Sequence, residues 1–523
     1  MVLQSDDRFA SGRRLTTTQS TLHDSRDTVS IRVALPPSVE FLTASDSVMS
    51  QSAAPSISVR FLPPPLDGSG RGVFLSSVAC LFLFAAAVSA AESSVVIERC
   101  SLFDPDSGRM LPERTIVIRG TKIVRVSDAD EVGDLPAEAT IIDGRGKFAL
   151  PGLIDAHVHV VHVLDFAQMT GDEVLPLYLA AGVTSIRSTG DELVAASLVA
   201  RFAAEHPEWS PRVFTCSPLL DADPPIHGDV GHAITEPAKV PALFDDLERW
   251  NITTVKIYAG TARPVGRAII EESHRRGLFV TAHLGKYAAQ DAVADGVDGL
   301  EHIWSVFNYV IPPETRKEPG YRGRLDLGNP LCESLVAELA ERKIFVDPTL
   351  AVFRNMILLP DVAEIRDHPD NDLVPRRLRD FWPVYLKRTG CPQGGPLADR
   401  RREFAKFQEL TGKLYRAGVP LLVGTDSPEP QVPPGFSLHQ ELEMLVESGL
   451  PPDAALRAAT LTNATVLGEK ERLGSVSVDK TADIVLLSAN PLDDIRNTRH
   501  IELVIHHGHL CNPDALLKRV PKQ

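Results

Sequence analysis

Eight apolar runs rich in β-type residues recur through the chain, each separated from the next by a stretch of helical character. They are "LIDAHVHV", "VTSIRST", "RVFTCSP", "TTVKIYAG", "LFVTAHL", "VDGLEHI", "IFVDPTL" and "PLLVGTD". Parallel strands cannot be joined by a tight turn and need a crossover, so strand text alternating with helix text is the signature of βα units. Eight such units predict an α/β chain folded as a (β/α)8, TIM-like barrel, with its active site at the C-terminal ends of the strands. The intervals are a few tens of residues, ordinary for a βα unit, except between "IFVDPTL" and "PLLVGTD". That much longer gap predicts a lid or specificity insertion.

The flanks read differently. "SVVIERC", "RTIVIRG" and "KIVRVSD" precede the barrel as short strands punctuated by turns, and "GSVSVDKTADIVLLSANPLDDI" and "HIELVIHHGHL" return to strand text after it. The expectation is a small discontinuous β-sandwich domain built from residues 92–150 and 471–523 around a barrel over 151–470. Residues 1–70, rich in Ser, Thr, Asp, Arg and Pro, carry no sustained hydrophobic period and predict little packed structure. Residues 71–91, "RGVFLSSVACLFLFAAAVSAA", end their apolar run in a small-residue pattern and predict a secretory signal, hence export to the periplasm or the extracellular space. A signal so far from residue 1 suggests that synthesis starts nearer Met49 or at a non-Met start. A single membrane anchor over 73–91 is the alternative, since the run just reaches spanning length.

With 523 residues, 43% of them hydrophobic, the chain can bury a large core. Its net charge of -15 and lack of a Lys/Arg block argue against a nucleic-acid partner and for solubility, the expected partner being a small-molecule substrate. Six cysteines without a C-x-x-C pair suggest neither a disulfide framework nor a zinc-thiolate site. The sequence does not set the oligomeric state, and a homo-oligomer is one option.

Side chains at i and i+2 of a strand share a face, so His157 and His159 of "LIDAHVHV" point to one interior. Alone, such a pair is better explained by satisfied core or surface histidines. The other strand ends change the balance: His283 in "TAHLG", His302 in "LEHI" and Asp426 in "GTDSP" would converge on the same mouth. Four histidines and a carboxylate there are hard to explain as core filling, because buried polar groups need partners. Imidazole and carboxylate donors favour Zn, Mn, Fe, Ni or Co over Ca or Mg, with zinc the default. Lys256, between Val255 and Ile257, would be costly as a buried ammonium and would repel a metal. It reads either as half of a buried ion pair or as a lysine carboxylated by CO2 into a metal-bridging carboxylate. Once a metal is assumed, charge favours the second.

"PGLIDAHVHV", these Lys, His, His and Asp positions, and "FSLHQELEMLVESGLPPDAALRAATLTNATVLGEKERLGSVSVDKTADIVLLSANPLDDI" together resemble the amidohydrolase superfamily. Within it the chain is most similar to the imidazolonepropionase-like group, especially prolidase-type members that hydrolyse Xaa-Pro or Xaa-Arg/Lys dipeptides and N-acyl amino acids. The resemblance implies two divalent metals, with His157, His159 and Asp426 on the more buried one and His283 and His302 on the other. Carboxylated Lys256 would bridge them together with a nucleophilic hydroxide, and Asp426 would carry the proton to the leaving nitrogen. Imidazolonepropionase itself uses one metal and lacks the lysine, so Lys256 argues against that exact ring-opening activity.

Further positions divide between functional and structural readings. Tyr258 shares the strand face of Lys256 and could bond a substrate carbonyl or carboxylate; filling the barrel mouth explains it equally. In "HGDVGHAIT" His232 resembles a substrate-loop histidine, with His227 the weaker choice. His162 falls on the opposite strand face or in a loop and is not assigned to metal. His439 and Glu441 read as support for a loop, and His506 and His507 as β-domain surface. Arg354, Arg366, Arg376, Arg377 and Arg379 of the insertion could recognise a carboxylate, though solvated arginines are the safer assumption. The leading function is hydrolysis of an amide-type C–N bond. A lactonase or carbamate hydrolase would use the same machinery, and a non-catalytic binding protein would be expected to have lost ligands that are all present.

Overall fold

The computed structural model describes residues 93–131, 138–359, 361–389 and 395–522. The expected N-terminal low-order segment and the 71–91 signal or anchor lie outside these residues. Among the described residues no helix is long and apolar enough to cross a membrane.

The flanking strands meet in one sheet. β1 (Ser94–Asp104), β2 (Arg109–Arg119) and β3 (Lys122–Asp128) form an antiparallel meander. β4 (Thr140–Asp143) and β5 (Phe148–Pro151) both run parallel to β1. The C-terminal strands enter on the far side of β5, which pairs antiparallel with β14 (Ile484–Leu487), followed by β15 (Ile501–His506) and β16 (His509–Cys511). The sheet also curls: Ile123 N donates to Lys480 O (3.0 Å) and Ala482 N to Thr121 O (2.9 Å), closing β3 back toward β14. Ile97, Ile116, Ile118, Ile484 and Leu486 fill the resulting core, separate from that of the barrel. The C-terminal segment is therefore integral to a sheet begun some 380 residues earlier in the chain, roughly the distance from β1 to β14.

β5 leads through Gly152 into the barrel. A side chain there would collide with Thr184, so only glycine lets the connection pass β7 this closely. The barrel strands are β6 (Leu153–Val158), β7 (Val183–Ser188), β8 (Arg212–Asp221), β10 (Thr254–Ile257), β11 (Phe279–Ala282), β12 (Gly299–Glu301) and β13 (Phe345–Asp347), parallel and neighbours in chain order. β9 (Gly231–Ala233) is a short addition on β8. The eighth run, "PLLVGTD", closes the ring through single bridges and backbone bonds: Leu421 pairs with Val346 of β13 and Ser427 with Val158 of β6. Gly424 is required on this path, because a Cβ would run into His157 and Asp347.

The helix Arg263–Arg275 illustrates the outer layer. Pro264 sits in its first turn and Gly277 adopts a left-handed conformation just past its end, the usual start and stop devices. Val265, Ile269 and Ile270 face the strands, while Arg263, Arg267 and Glu271 stay in solvent. Among the described residues the long interval after β13 holds four α-helices, Leu350–Leu358, Ala363–Arg366, Arg376–Thr389 and Leu397–Arg416. The third lies over the barrel mouth, where fully buried Trp382 donates from Nε1 to Pro428 O at 3.0 Å.

Candidate active site

The inner face of β6 bears a column of polar groups. Asp155 lies deepest, accepting from Thr425 Oγ1 at 2.7 Å, with His157 above it and His159 just beyond the strand. His157 Nδ1 is 2.8 Å from Glu301 Oε2, and Glu301 is itself held by Arg187 (2.6 Å) and Thr281 (2.8 Å). A carboxylate on Nδ1 orients the ring and leaves Nε2 as the lone-pair donor toward the mouth. Burial and the charge of Lys256 push the His157 imidazole down to about 4, so it stands neutral.

His159 is oriented by Asp191, 3.3 Å from its Nδ1; that carboxylate also accepts from Val160 N, His162 N and Ser188 Oγ, binding up the loop after β6. Asp426 stands opposite, its Oδ1 3.2 Å from His159 Nε2 and 3.5 Å from His157 Nε2, and its Oδ2 3.9 Å from His302 Nδ1. Burial opposes ionisation of Asp426, but the hydrogen bond and charge of His159 outweigh it and hold the carboxyl well below the usual range. For His159 burial likewise opposes charge, and Asp191 and Asp426 prevail, raising it to about 10.

His302 and Asp426 share a backbone peculiarity. Both take positive φ, 65° and 62°, a conformation costly for residues with a Cβ and characteristic of functional sites. This lets both Glu301 and His302 face the interior, although strand alternation would put them on opposite sides. His302 Nδ1 bonds Thr349 Oγ1 at 2.7 Å, and the His283 ring lies 4.5 Å from that of His302.

His157, His159, Lys256, His283, His302 and Asp426 thus all line one cavity of about 60 Å³, together with Tyr258, His162, His227 and Glu429. Among these, His157, His302 and Asp426 each bring a ligand atom within 4.8 Å of the others and can hold a cation. Lys256 is 1% exposed and burial lowers its amine pKa. Of the two loop histidines the structure brings in His227, not His232, which lies exposed on β9; β9 turns it away from the mouth. His162 also enters, because the chain leaves strand geometry after Val158 and starts the helix His162–Phe166. None of the five insertion arginines lines the cavity: Arg366, Arg376 and Arg379 engage Asp367, Asp380 and Asp372, while Arg354 reaches Gln440 and Arg377 reaches Glu173. Glu441 accepts from Leu350 N and Ala351 N, as support for the loop after β13. His506 is corrected from surface to core, being 1% exposed and bonded to Asp483.

Sequence reasoning missed the carboxylates behind the histidines. Asp191 in "STGDE" and Asp347 in "FVDP" stand at strand ends, a signal available in the text. Asp347 is wholly buried, 3.8 Å from His157 Nδ1, with no hydrogen-bond partner on either oxygen. Burial and the nearby Glu301 push its carboxyl well above the usual range, which favours the neutral acid.

Three comparisons bear on this arrangement. The profile of the amidohydrolase family matches residues 148–511, well over half of the chain. An imidazolonepropionase of Geobacillus kaustophilus is 25% identical over 444 residues, spanning 77% of this chain and 90% of the relative. Among solved structures, a prolidase candidate from Bifidobacterium longum superposes with a TM-score of 0.61 at 25% identity, covering 82% of this chain and 99% of that one. A Xaa-Pro dipeptidase shares the fold with a TM-score of 0.60 at 20% identity, covering 80% and 100%. The barrel, the mouth it builds and the match across most of the chain agree: this protein belongs to the amidohydrolase family and is a hydrolase acting on carbon–nitrogen bonds.

Proposed function

We propose that the cavity hydrolyses the amide-type C–N bond of a dipeptide or N-acyl amino acid, with two divalent cations, zinc by default, held by His157, His159, Lys256, His283, His302 and Asp426. The observation that carries this reading is the convergence of those six side chains, from five different strand ends, on one cavity. The donors are chemically apt: imidazoles and a carboxylate, with no thiol lining the cavity. A buried, cavity-lining amine whose cationic form is disfavoured is suited to carboxylation by CO2, which would turn Lys256 into a further anionic donor. Bound there, divalent cations would supply a water whose pKa is lowered to about 7 and an electrophile for the scissile carbonyl.

The chain's own groups do the rest. Asp426, kept ionised by His159, accepts a proton at a carboxylate oxygen and returns it to the leaving nitrogen. Glu301 and Asp191 keep the His157 and His159 rings in register. Tyr258, half-buried on the cavity wall, offers its hydroxyl to the substrate carbonyl or carboxylate. The roof is made by Tyr385, whose hydroxyl donates to Glu429 at 3.1 Å and lies 3.0 Å from His162 Nε2. A volume of about 60 Å³ is far below the roughly 300 Å³ of a small-molecule site, so this roof opens to admit substrate and closes to exclude water.

Lys256 separates this reading from a ring hydrolase of the imidazolonepropionase kind. The test is a hydrolysis screen over dipeptides, N-acyl and N-carbamoyl amino acids, lactones and imidazolonepropionate, with zinc and bicarbonate supplied, alongside metal analysis. Release of an amino acid by protein carrying near two equivalents of metal before any excess zinc is added, and its loss in Lys256→Ala, is expected. A stable, metal-free protein inert toward every amide would end the reading, and turnover of the ring substrate alone would replace it. We also read residues 71–91 as an export signal, which N-terminal sequencing of native protein checks.

A further inference from the structure

A second group of metal-type donors stands at the rim of the cavity, unused by the chemistry above. It comprises His162, at the start of the helix after β6, and His227 and Asp229 in the loop between β8 and β9. One ligand atom from each lies within 4.8 Å of the other two. His162 Nδ1 is 3.7 Å from Asp229 Oδ2, and the two imidazoles sit 5.0 Å apart, nearly perpendicular at 83°.

His162 is 5% exposed and its two nitrogens are treated unequally. Nε2 lies 3.0 Å from the Tyr385 hydroxyl, whose own proton goes to Glu429. With that proton directed to Glu429 the hydroxyl oxygen is free to accept from Nε2–H, and in this tautomer of the neutral ring Nδ1 presents a lone pair. That Nδ1 is buried with no hydrogen-bond partner. A buried acceptor left unmet is costly, and at 3.7 Å the Asp229 carboxylate lies beyond hydrogen-bond reach. A cation between the three side chains would satisfy the lone pair, and the outward Nε2–H bond is of the kind that fixes the tautomer of a metal-ligating histidine.

We propose that His162, His227 and Asp229 form a further divalent-cation site of zinc-type donors at the cavity entrance, and that filling it ties the loop after β8 across the mouth and inhibits turnover. Two imidazoles and one carboxylate are a common zinc set with a position left for water. Ligands of one tetrahedral zinc lie about 3.3 Å apart at bond lengths near 2.0–2.1 Å, so the group closes inward on binding. Asp229, whose side chain is 38% exposed, is free to make that movement and gives the ion a route from solvent. His227 lines the cavity, so its capture restricts the way in. Binding is independent of the proposed function; the inhibition rests on that reading.

The test is equilibrium dialysis of the full-length protein against zinc, with bound metal counted in wild type, Asp229→Ala, Asp426→Asn and the double variant. Wild type should hold one equivalent more than Asp229→Ala, and Asp426→Asn one more than the double variant. Equal counts across both pairs overturn the site, whatever the main cluster binds. His227→Phe should lose the same equivalent, and unchanged thermal unfolding of Asp229→Ala in chelator shows that the fold is intact. In turnover assays, the zinc concentration that half-inhibits should rise at least about tenfold in Asp229→Ala. A lost equivalent with unchanged inhibition would keep the site and overturn its role at the entrance. Metal lost on Asp426→Asn while the wild type hydrolyses no amide would count against the proposed function alone.

Discussion

Two buried clusters of the same residue types, one at the barrel mouth and one at its base, differ in how completely they satisfy themselves. At the base, Asp483 accepts from His506 Nδ1 (3.0 Å), His507 N (2.9 Å) and Arg212 Nη1 (3.0 Å), and Arg212 also bonds Ser185 and His507. At the mouth, Arg187, Glu301 and His157 form a comparable chain, yet Asp347 has two unmet oxygens, Arg187 Nη1 and His162 Nδ1 have no partner, and Lys256 is a buried amine facing open space. The base is a structural network, complete without any ligand. The mouth holds residual valence, and buried polar groups left over in this way need a reason outside the fold.

The sharpest way to break the contrast is to alter one carboxylate in each cluster. Asp426→Asn should lower kcat by roughly 10³-fold or more while leaving the unfolding midpoint near that of wild type; an active variant would remove Asp426 from proton transfer. Asp483→Asn should do the opposite, costing about 3 kcal/mol by stranding the Arg212 charge, with folded protein still active, as chemical denaturation and assay together would show. The same residue predicts a pH dependence. Three donors depress the Asp483 pKa far below its unfolded value of about 4, so its contribution is complete above that pH and is lost as pH falls through the acid range. The stability gap between wild type and Asp483→Asn should therefore shrink below about pH 4, and a gap that widened there would refute the assignment.

Smaller effects sharpen the picture of the mouth. Tyr385→Phe removes the hydroxyl bridging Glu429 and His162, and should shift KM by several-fold with kcat changed less, since the roof is loosened and the chemistry is untouched. Asp347→Asn should change stability by less than about 1 kcal/mol or raise it, because a neutral acid without partners contributes little that an amide cannot. A large destabilisation by that substitution would reveal a partner, and the two clusters would then be alike.

Much of the mouth was legible because its residues stand at regular places in a repeating text. "TAHLG", "LEHI" and "GTDSP" end apolar runs, and in a barrel all such ends lie on one face. The carboxylates behind them were harder, since Glu301 reaches His157 from six strands away in the chain. Nothing in "HGDVGHAIT" tells which of His227 and His232 the loop turns inward, so the text alone does not favour the one that lines the cavity. Burial of His506 depends on Asp483 and on where β14 and β15 lie against β7 and β8, contacts that link residues 212 and 483.

Period and composition by themselves determined the alternating strands, the number of βα units, the long insertion and the set of chemically capable strand ends, because those follow from how one chain segment buries its own apolar face. Only the tertiary structure decided which side chains meet: that β5 pairs with β14, that the eighth run closes the barrel without a full ladder, that His302 and Asp426 turn through positive φ, and that His162 joins His227 and Asp229. The physical reason is range. Local burial is encoded within a few residues, whereas the pairing of buried polar groups is settled by close packing between segments far apart in the chain.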